Sequence, residues 1–442
     1  MTIFDQANQV IDLVKAAGAS GDLIIDQGQS LSLKARDGDL EEYKVSSSQV
    51  FGLRVIKDGK VGTAYSEAAD SDALSSLVEQ ALTNASFTAV EVHENILPND
   101  ANLKTDDSVL CPVEEISIDE KVNFALQMES DLAGRERVKS VPYNGVQDNT
   151  GQRHIFSSEG LRAYSKSRMC SAYAYALVEE GDKTAMEGTG QAARLFATLD
   201  ANDIIERAYS QTIDILEGSP VPSGHYDVIF DEEVQASLFG VFSMMFSGKS
   251  AKDGVNPMRE KVGKTIADSR LTVTDQPLNA DGFGYELFDA EGTATGSTPL
   301  IKDGTLSTLI HNSATASFFD KKSTGHASRG PKSTMGVGLH QLEIAAGSGS
   351  KAELFAGKYL MLTDLTGMHS GANAISGDFS FGASGFLCRD GQRVQPVRGV
   401  TVAGNFYQML NKIALIGDEQ FWNWGRSALM PHLRFTGIAV SG

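Results

Sequence analysis

The sequence predicts an α+β fold, with sheet-and-helix units over the first half and a glycine-rich, strand-rich second half. Three observations predict it. Apolar residues recur at helical spacing in four separate stretches before residue 220, the runs between those stretches alternate in strand fashion, and Asp-Gly pairs suited to hairpin turns occur in both halves.

The opening stretch places Ile3, Ala7, Val10, Ile11 and Val14 on one helical face, with Thr2 as N-cap and Gly18 just past the end. A first amphipathic helix follows from that spacing. Residues 22–66 alternate like strands, and Asp58-Gly59 closes a hairpin within them. Leu74, Leu77, Val78, Ala81 and Leu82 return to helical spacing between Ser71 and Ala85. A second unit starts near Ser117, with Val122, Ala125, Leu126 and Met128 on a helix. Strand-like runs follow over residues 138–180, and Gly145, Gly151, Gly160 and Gly181 are read as their turns. Another helix spans the region from Asp203 to Leu216, and Glu217 to Gly224 has linker composition. The second half carries further Asp-Gly hairpins at Asp303-Gly304 and Asp390-Gly391, with a helix expected from Phe406 to Ile416. The chain divides on this reading into an N-terminal α+β domain (1–110), a central α+β domain (111–220) and a β-rich C-terminal domain (221–442).

Composition narrows the function classes. Hydrophobic residues at 41% and charged residues at 21% suit a folded globular chain. Lys and Arg number 38 against 57 Asp and Glu, a formal charge of −19, which repels phosphate backbones and anionic lipid, so neither nucleic acid nor membrane is expected as a direct partner. The first residues show neither a basic nor an apolar leader segment. The apolar run Ala236–Gly248 is too short for the roughly 20 residues that a bilayer span needs, and reads as a buried helix. Three scattered cysteines, Cys111, Cys170 and Cys388, fit a reducing compartment, and a cytoplasmic protein is expected.

No local catalytic motif emerges. A zinc peptidase helix needs two histidines close together, whereas the nearest pair here, His326 and His340, is 14 residues apart. A ligand set assembled from distant segments is left open. Gly248-Lys249-Ser250 and Gly263-Lys264-Thr265 lack the upstream glycine of a phosphate loop. Cys388 beside Arg389 reads as a small apolar strand residue. The stretch from His326 to Gly404 is denser in polar groups set among glycines: Asp378, Ser380 and Ser384, interleaved with Gly382 and Gly385, are candidates to line a groove with His326, or else belong to tight turns. If the segment 376–388 offers a strand edge, an extended peptide can add to it through main-chain hydrogen bonds.

The order STGHA (323–327), TDLTG (363–367), SGDFSFGASGF (376–386), PVRGVTVAGN (396–405) and IALIGDE (413–419) is similar to the C-terminal half of the PmbA/TldE branch of the TldD/PmbA family, long labelled modulators of DNA gyrase. The resemblance implies a subunit of a zinc metallopeptidase that cleaves peptides and unfolded polypeptides, including microcin leaders and antitoxins. It also implies a heterodimer with a TldD-like subunit, which bears a His-Glu-x-x-x-His helix and a C-terminal cysteine as zinc site; a homodimer is expected when the chain is alone. Here the corresponding helix, near Ala236 to Phe246, contains no His, Glu or Asp, and Trp422, Trp424 and Gly425 stand where the cysteine is expected. The resemblance therefore implies no metal and no catalytic residue in this chain, with zinc in the partner. The alternative is a regulatory protein-binding factor acting on gyrase.

Overall fold

The computed structural model describes residues 2–98 and 103–442. The first helix, α1 (Ile3–Ala16), starts at a capping box in which Thr2 and Asp5 satisfy each other's backbone N–H. Strands β1 (Ser20–Arg36), β2 (Asp39–Lys57) and β3 (Lys60–Ser66) are followed by helix α2 (Ser71–Ser86) and a single turn, α3 (Asp107–Leu110). Helix α4 (Ile118–Ala133) leads into β4 (Val138–Ser157), β5 (Arg162–Glu180) and β6 (Lys183–Ala193), then α5 (Ala201–Leu216).

All six strands form one antiparallel sheet in the order β3-β2-β1-β4-β5-β6, because β1 pairs with β4 from Asp22↔Ser157 to Leu33↔Val146. The two N-terminal segments thus share a sheet and not merely a boundary. Its length gives it two cores. At one end Val10, Leu74 and Leu77 of the helices pack on Leu23, Ile25 and Phe51; at the other Met128, Leu132 and Ile204 pack on Leu33, Ala172 and Ala174. Full burial of each Val, Leu, Ile, Met or Phe side chain among them contributes about 1.5–3 kcal/mol. Gly145 and Gly151 lie inside β4, opposite Tyr173 and Ser167, rather than at turns; Gly160 and Gly181 alone among the four connect strands.

The second half contains β7 (Gly224–Phe230), helix α6 (Glu232–Val241), β8 (Val273–Asp275), β9 (Thr298–Lys302), β10 (Thr305–Leu306), β11 (Ala327–Ser328), β12 (Gly336–Val337) and β13 (Leu342–Ile344). It continues with β14 (Lys358–Thr366), β15 (Asp378–Arg389), β16 (Gln392–Asn405), β17 (Ile413–Trp422) and β18 (Ala428–Ser441). Strands β7, β14, β15, β16 and β18 pair in a closed circuit, with β8, β9, β10 and β13 extending from β18. The helix expected from Phe406 to Ile416 is a single turn, Phe406–Met409: Ile413 and Ile416 are drawn into β17 opposite Phe435 and Leu433.

The Asp-Gly pairs are the turns they suggest. Asp58, Asp303 and Asp390 take φ of 52°, 49° and 49°, each followed by a left-handed glycine, the geometry of two-residue hairpins. Asp37-Gly38, between β1 and β2, is a fourth example with the same signal.

The C-terminal domain rests on the N-terminal sheet through buried charges. Arg54 on β2 is 1% exposed and donates to Asp22 (2.5 and 2.8 Å) and Glu94 (2.9 Å), while Arg329 reaches Asp22 at 2.5 Å from the other domain. A side chain at Gly52 would meet the Pro331 carbonyl at 2.1 Å, so only glycine admits this approach.

A groove without ligands and a histidine cluster without lone pairs

Helix α6 is fixed by its N-cap Asp231, whose carboxylate accepts from the Val234 N–H at 2.8 Å. The helix therefore starts before the apolar run begins, and it ends at Phe242, where a 3₁₀ turn (Ser243–Phe246) takes over. One face packs inward: Leu238, Phe239, Phe242 and Met245 are buried, and Phe242 stacks on Phe406 with ring centroids 4.6 Å apart. Val241, within the run that the sequence reads as a buried helix, is only partly buried and faces a groove.

That groove has a volume of about 600 Å³. Ala236, Ser237, Gly240, Val241, Ser243 and Met244 form one wall, the segment Val337–Leu342 forms the other, and Asn423, Ser427 and Ala428 lie at its end. The helical wall offers methyls, hydroxyls and a thioether, none of which is a zinc ligand of the kind that peptidases use.

The second wall includes His340, and there the fold assembles Asp275, His326 and His340, whose ligand atoms lie within 4.8 Å of one another. The end of β8 supplies Asp275, and the turns flanking β11 and β12 supply the histidines. The Asp275 carboxylate is fully buried and accepts from the backbone N–H of His340 (3.0 Å) and Gln341 (2.9 Å). His326 donates to it from Nε2 at 2.8 Å, and its Nδ1 donates to the Thr324 carbonyl at 2.8 Å. His340 donates from Nε2 to the Gly325 carbonyl (2.8 Å) and from Nδ1 to Glu286 (2.9 Å). Burial pulls the His340 imidazole down, but its bond to Glu286 and that residue's charge, with Asp275 behind, override burial and raise it to about 9.

Zinc needs the lone pair of a neutral imidazole and, at a catalytic centre, three protein ligands with an open position. Both His340 nitrogens carry protons, so the cluster offers at most Asp275 and one nitrogen of His326. These residues do not fit a catalytic zinc.

The residues singled out from sequence fall in two places. His326 has a side chain without solvent exposure and lies in the cluster, behind the groove. Asp378, Ser380, Gly382, Ser384 and Gly385 lie on β15, away from the groove lining. Strand β15 is paired on both sides, with β14 and β16, so it has no edge for an added peptide strand. Its glycines serve packing: a side chain at Gly385 would meet the Met361 carbonyl at 2.0 Å, and one at Gly382 the Thr366 hydroxyl at 2.3 Å. Asp378 is exposed, and Asn405 and Ser376 donate to it and hold its carboxyl below the usual range. Of the groove's own residues, Ser237 and Gly240 lie in the segment that the resemblance set against the partner's zinc helix, whereas Asn423 was not singled out.

A closed strand circuit walled by one helix and mounted on a long antiparallel sheet defines a class of three-part α+β chains. Family models described as PmbA/TldA metallopeptidase domain 1, central domain and C-terminal domain match residues 21–85, 111–216 and 223–442 in turn. The chain belongs to this PmbA/TldD metallopeptidase family. It is 25% identical over 425 residues to the metalloprotease PmbA of Escherichia coli O157:H7, covering 94% of this chain and 91% of that one. Among solved structures it resembles a candidate modulator of a DNA gyrase from Thermotoga maritima, with a TM-score of 0.88, 25% identity and 100% of both chains covered. TldE from Thermococcus kodakarensis shares the fold, with a TM-score of 0.86, 21% identity, and coverage of 99% of this chain and 100% of that one. No helix among the described residues is long and apolar enough to cross a membrane.

Proposed function

We propose that this chain is the non-catalytic, PmbA/TldE-type subunit of a cytoplasmic zinc metallopeptidase whose zinc is held by a TldD-like partner. In this reading the groove beside α6 guides extended peptide, and hydrolysis occurs on the partner. The single observation that carries it is the groove wall: Ala236, Ser237, Gly240, Val241, Ser243 and Met244 supply neither a metal ligand nor a general base. Peptides and unfolded polypeptides, leader peptides among them, are the proposed substrates.

The test compares the pure chain with a mixture containing a TldD-like subunit. Metal analysis after dialysis and a chelator-sensitive casein assay should find no stoichiometric zinc and no turnover in the pure chain, with turnover appearing on mixing. One zinc per chain together with chelator-sensitive turnover in the pure chain would overturn the proposal.

A further inference from the structure

Where the C-terminal domain rests on the N-terminal sheet, a cavity of about 240 Å³ lies between them. Arg153 of β4 lines it from the sheet, and Glu286, Ser328, Arg329 and His340 line it from the other domain. Gly338, Leu339 and His340 line both this cavity and the groove beside α6, so the two spaces adjoin. Pockets for whole small molecules begin at about 300 Å³, so this one has room for one end or one side chain of a larger ligand.

The lining brings three cationic side chains, Arg153, Arg329 and His340, against one carboxylate, Glu286. That carboxylate is already engaged, accepting from His340 Nδ1 at 2.9 Å. Arg153 spends Nε and Nη2 on Asp26, at 2.8 and 2.7 Å. Arg329 is less well served. Its side chain is 1% exposed, and its Nη2 lies 2.5 Å from Asp22 and 3.4 Å from the Gly52 carbonyl. Its Nε is a buried donor with no hydrogen-bond partner among the described residues. Leaving such a donor unpaired costs about 1–3 kcal/mol, and more for a charged group. The neighbouring Arg54 shows the compensated case: burial lowers its value, but Asp22, Glu291 and Glu94 together raise it above the ordinary one. At Arg329 burial and the charges of Arg54 and Arg153 outweigh Asp22 and Glu291, and pull the guanidinium down to about 10. An anionic group in the cavity would meet a donor without an acceptor and a cation without full counter-charge.

We infer that this cavity takes a carboxylate of the polypeptide that occupies the adjoining groove, with Arg329 and Arg153 as its cationic donors and the exposed Ser328 hydroxyl at its rim. The planar guanidinium fork is matched to carboxylate geometry. The inference rests on the reading of the groove as a peptide path, and it narrows the substrate class to chains that present a carboxylate, C-terminal or on an Asp or Glu side chain. The formal charge of −19 gives anionic peptides no long-range attraction to this chain, so a preference for them reports the local site.

Isothermal titration calorimetry on the pure full-length chain tests it with N-acetylated alanine-serine hexapeptides in three forms: a C-terminal amide, a free C-terminal carboxylate, and an amide with one central Glu. At least one carboxylate peptide should bind about tenfold or more tighter than the neutral one, and which of them does so identifies the source of the carboxylate. Arg329→Lys keeps a charge facing Asp22 but removes Nε, and Ser328→Asp puts a carboxylate of the chain's own at the rim. Each should abolish the preference and leave the affinity for the neutral peptide unchanged. Should Arg329→Lys lower the melting temperature, Ser328→Asp alone decides. Equal affinities for the three peptides, no measurable binding of either carboxylate peptide, or a preference that survives Ser328→Asp would each overturn the inference. A neutral peptide bound with no carboxylate preference leaves the groove reading standing, and the chelator and mixing assays use none of these peptides, so the two readings fall separately.

Discussion

The groove beside α6 and the cluster behind it contain complementary halves of what a metal centre needs. The groove has space, solvent access and a helix in position, but the side chains on that helix are methyls, hydroxyls and a thioether. The cluster has a carboxylate and two imidazoles, but spends them on each other and on main-chain carbonyls. Residue type alone therefore does not identify a metal site. A histidine is a ligand only where a nitrogen lone pair is left over, and the partners of each nitrogen decide that.

The largest expected effect that sharpens this contrast is on stability. Removing the carboxylate in Asp275→Ala leaves two buried backbone N–H groups and the His326 Nε2 without an acceptor. Each buried donor left without an acceptor costs about 1–3 kcal/mol. Ser237→Ala on the groove wall should change stability by less than about 0.5 kcal/mol. Urea denaturation of both variants checks the pair; equal effects would show that the cluster is not the structural element described here.

A smaller effect concerns pH. His340 has a folded-state value raised to about 9, above the ordinary value of 6.5. A group raised in this way gives stability that is fully present below the unfolded value and is lost as pH rises through the folded one. Its window is therefore pH 6.5 to 9, with up to about 3 kcal/mol at stake. Asp289, which is buried, and Glu187 and Glu233, which are half-buried, are each raised to about 7, mainly by desolvation. Their protonation is lost between the ordinary carboxyl range and about pH 8, so the slope from about pH 8 to 9 isolates His340 from them. That slope should be present in the wild-type chain and much reduced in His340→Gln. An unchanged slope in the variant would assign it to another group.

Much of the architecture was legible because it is local. Thr2 and Asp5 announce α1, and each Asp-Gly pair names a turn that needs two consecutive left-handed residues. What was not legible depends on sequence separation. The β1–β4 pairing that fuses the two N-terminal segments joins Asp22 to Ser157, and no periodicity specifies that partnership. His326 and His340 lie 51 and 65 residues from Asp275, so a search for two histidines on one helical turn passes over them. The β15 segment misled for a related reason. Its alternation of polar residues and glycine is also what a strand shows when its neighbours approach closely on both sides, and only the pairing of β15 with β14 and β16 distinguishes the two cases. Ile413 and Ile416 fit a helix as well as a strand; pairing with β18, a partner distant in sequence from the turn at Phe406, decides for the strand.

The smallest expected effect is the one most specific to the contrast, the response to zinc. A ligand that binds only the folded chain stabilises it by about 2.7 kcal/mol at a hundred times its dissociation constant, an easily measured rise in melting temperature. In the wild-type chain, zinc at His340 would have to displace a proton bound with a value near 9 and break the hydrogen bonds to Gly325 and Glu286. It would gain only an interior position with no open coordination site. The melting temperature should therefore stay the same with and without added zinc at pH 7. Glu286 is the weak point, because its side chain is 47% exposed and it alone holds the proton on Nδ1. In Glu286→Ala the His340 value should fall towards its ordinary range, and the neutral ring, still donating from Nε2 to the Gly325 carbonyl, would present a free Nδ1. Any zinc-dependent rise in melting temperature should appear in that variant alone. A rise in the wild-type chain would mean that the cluster opens to metal, and the distinction between space without ligands and ligands without lone pairs would fail.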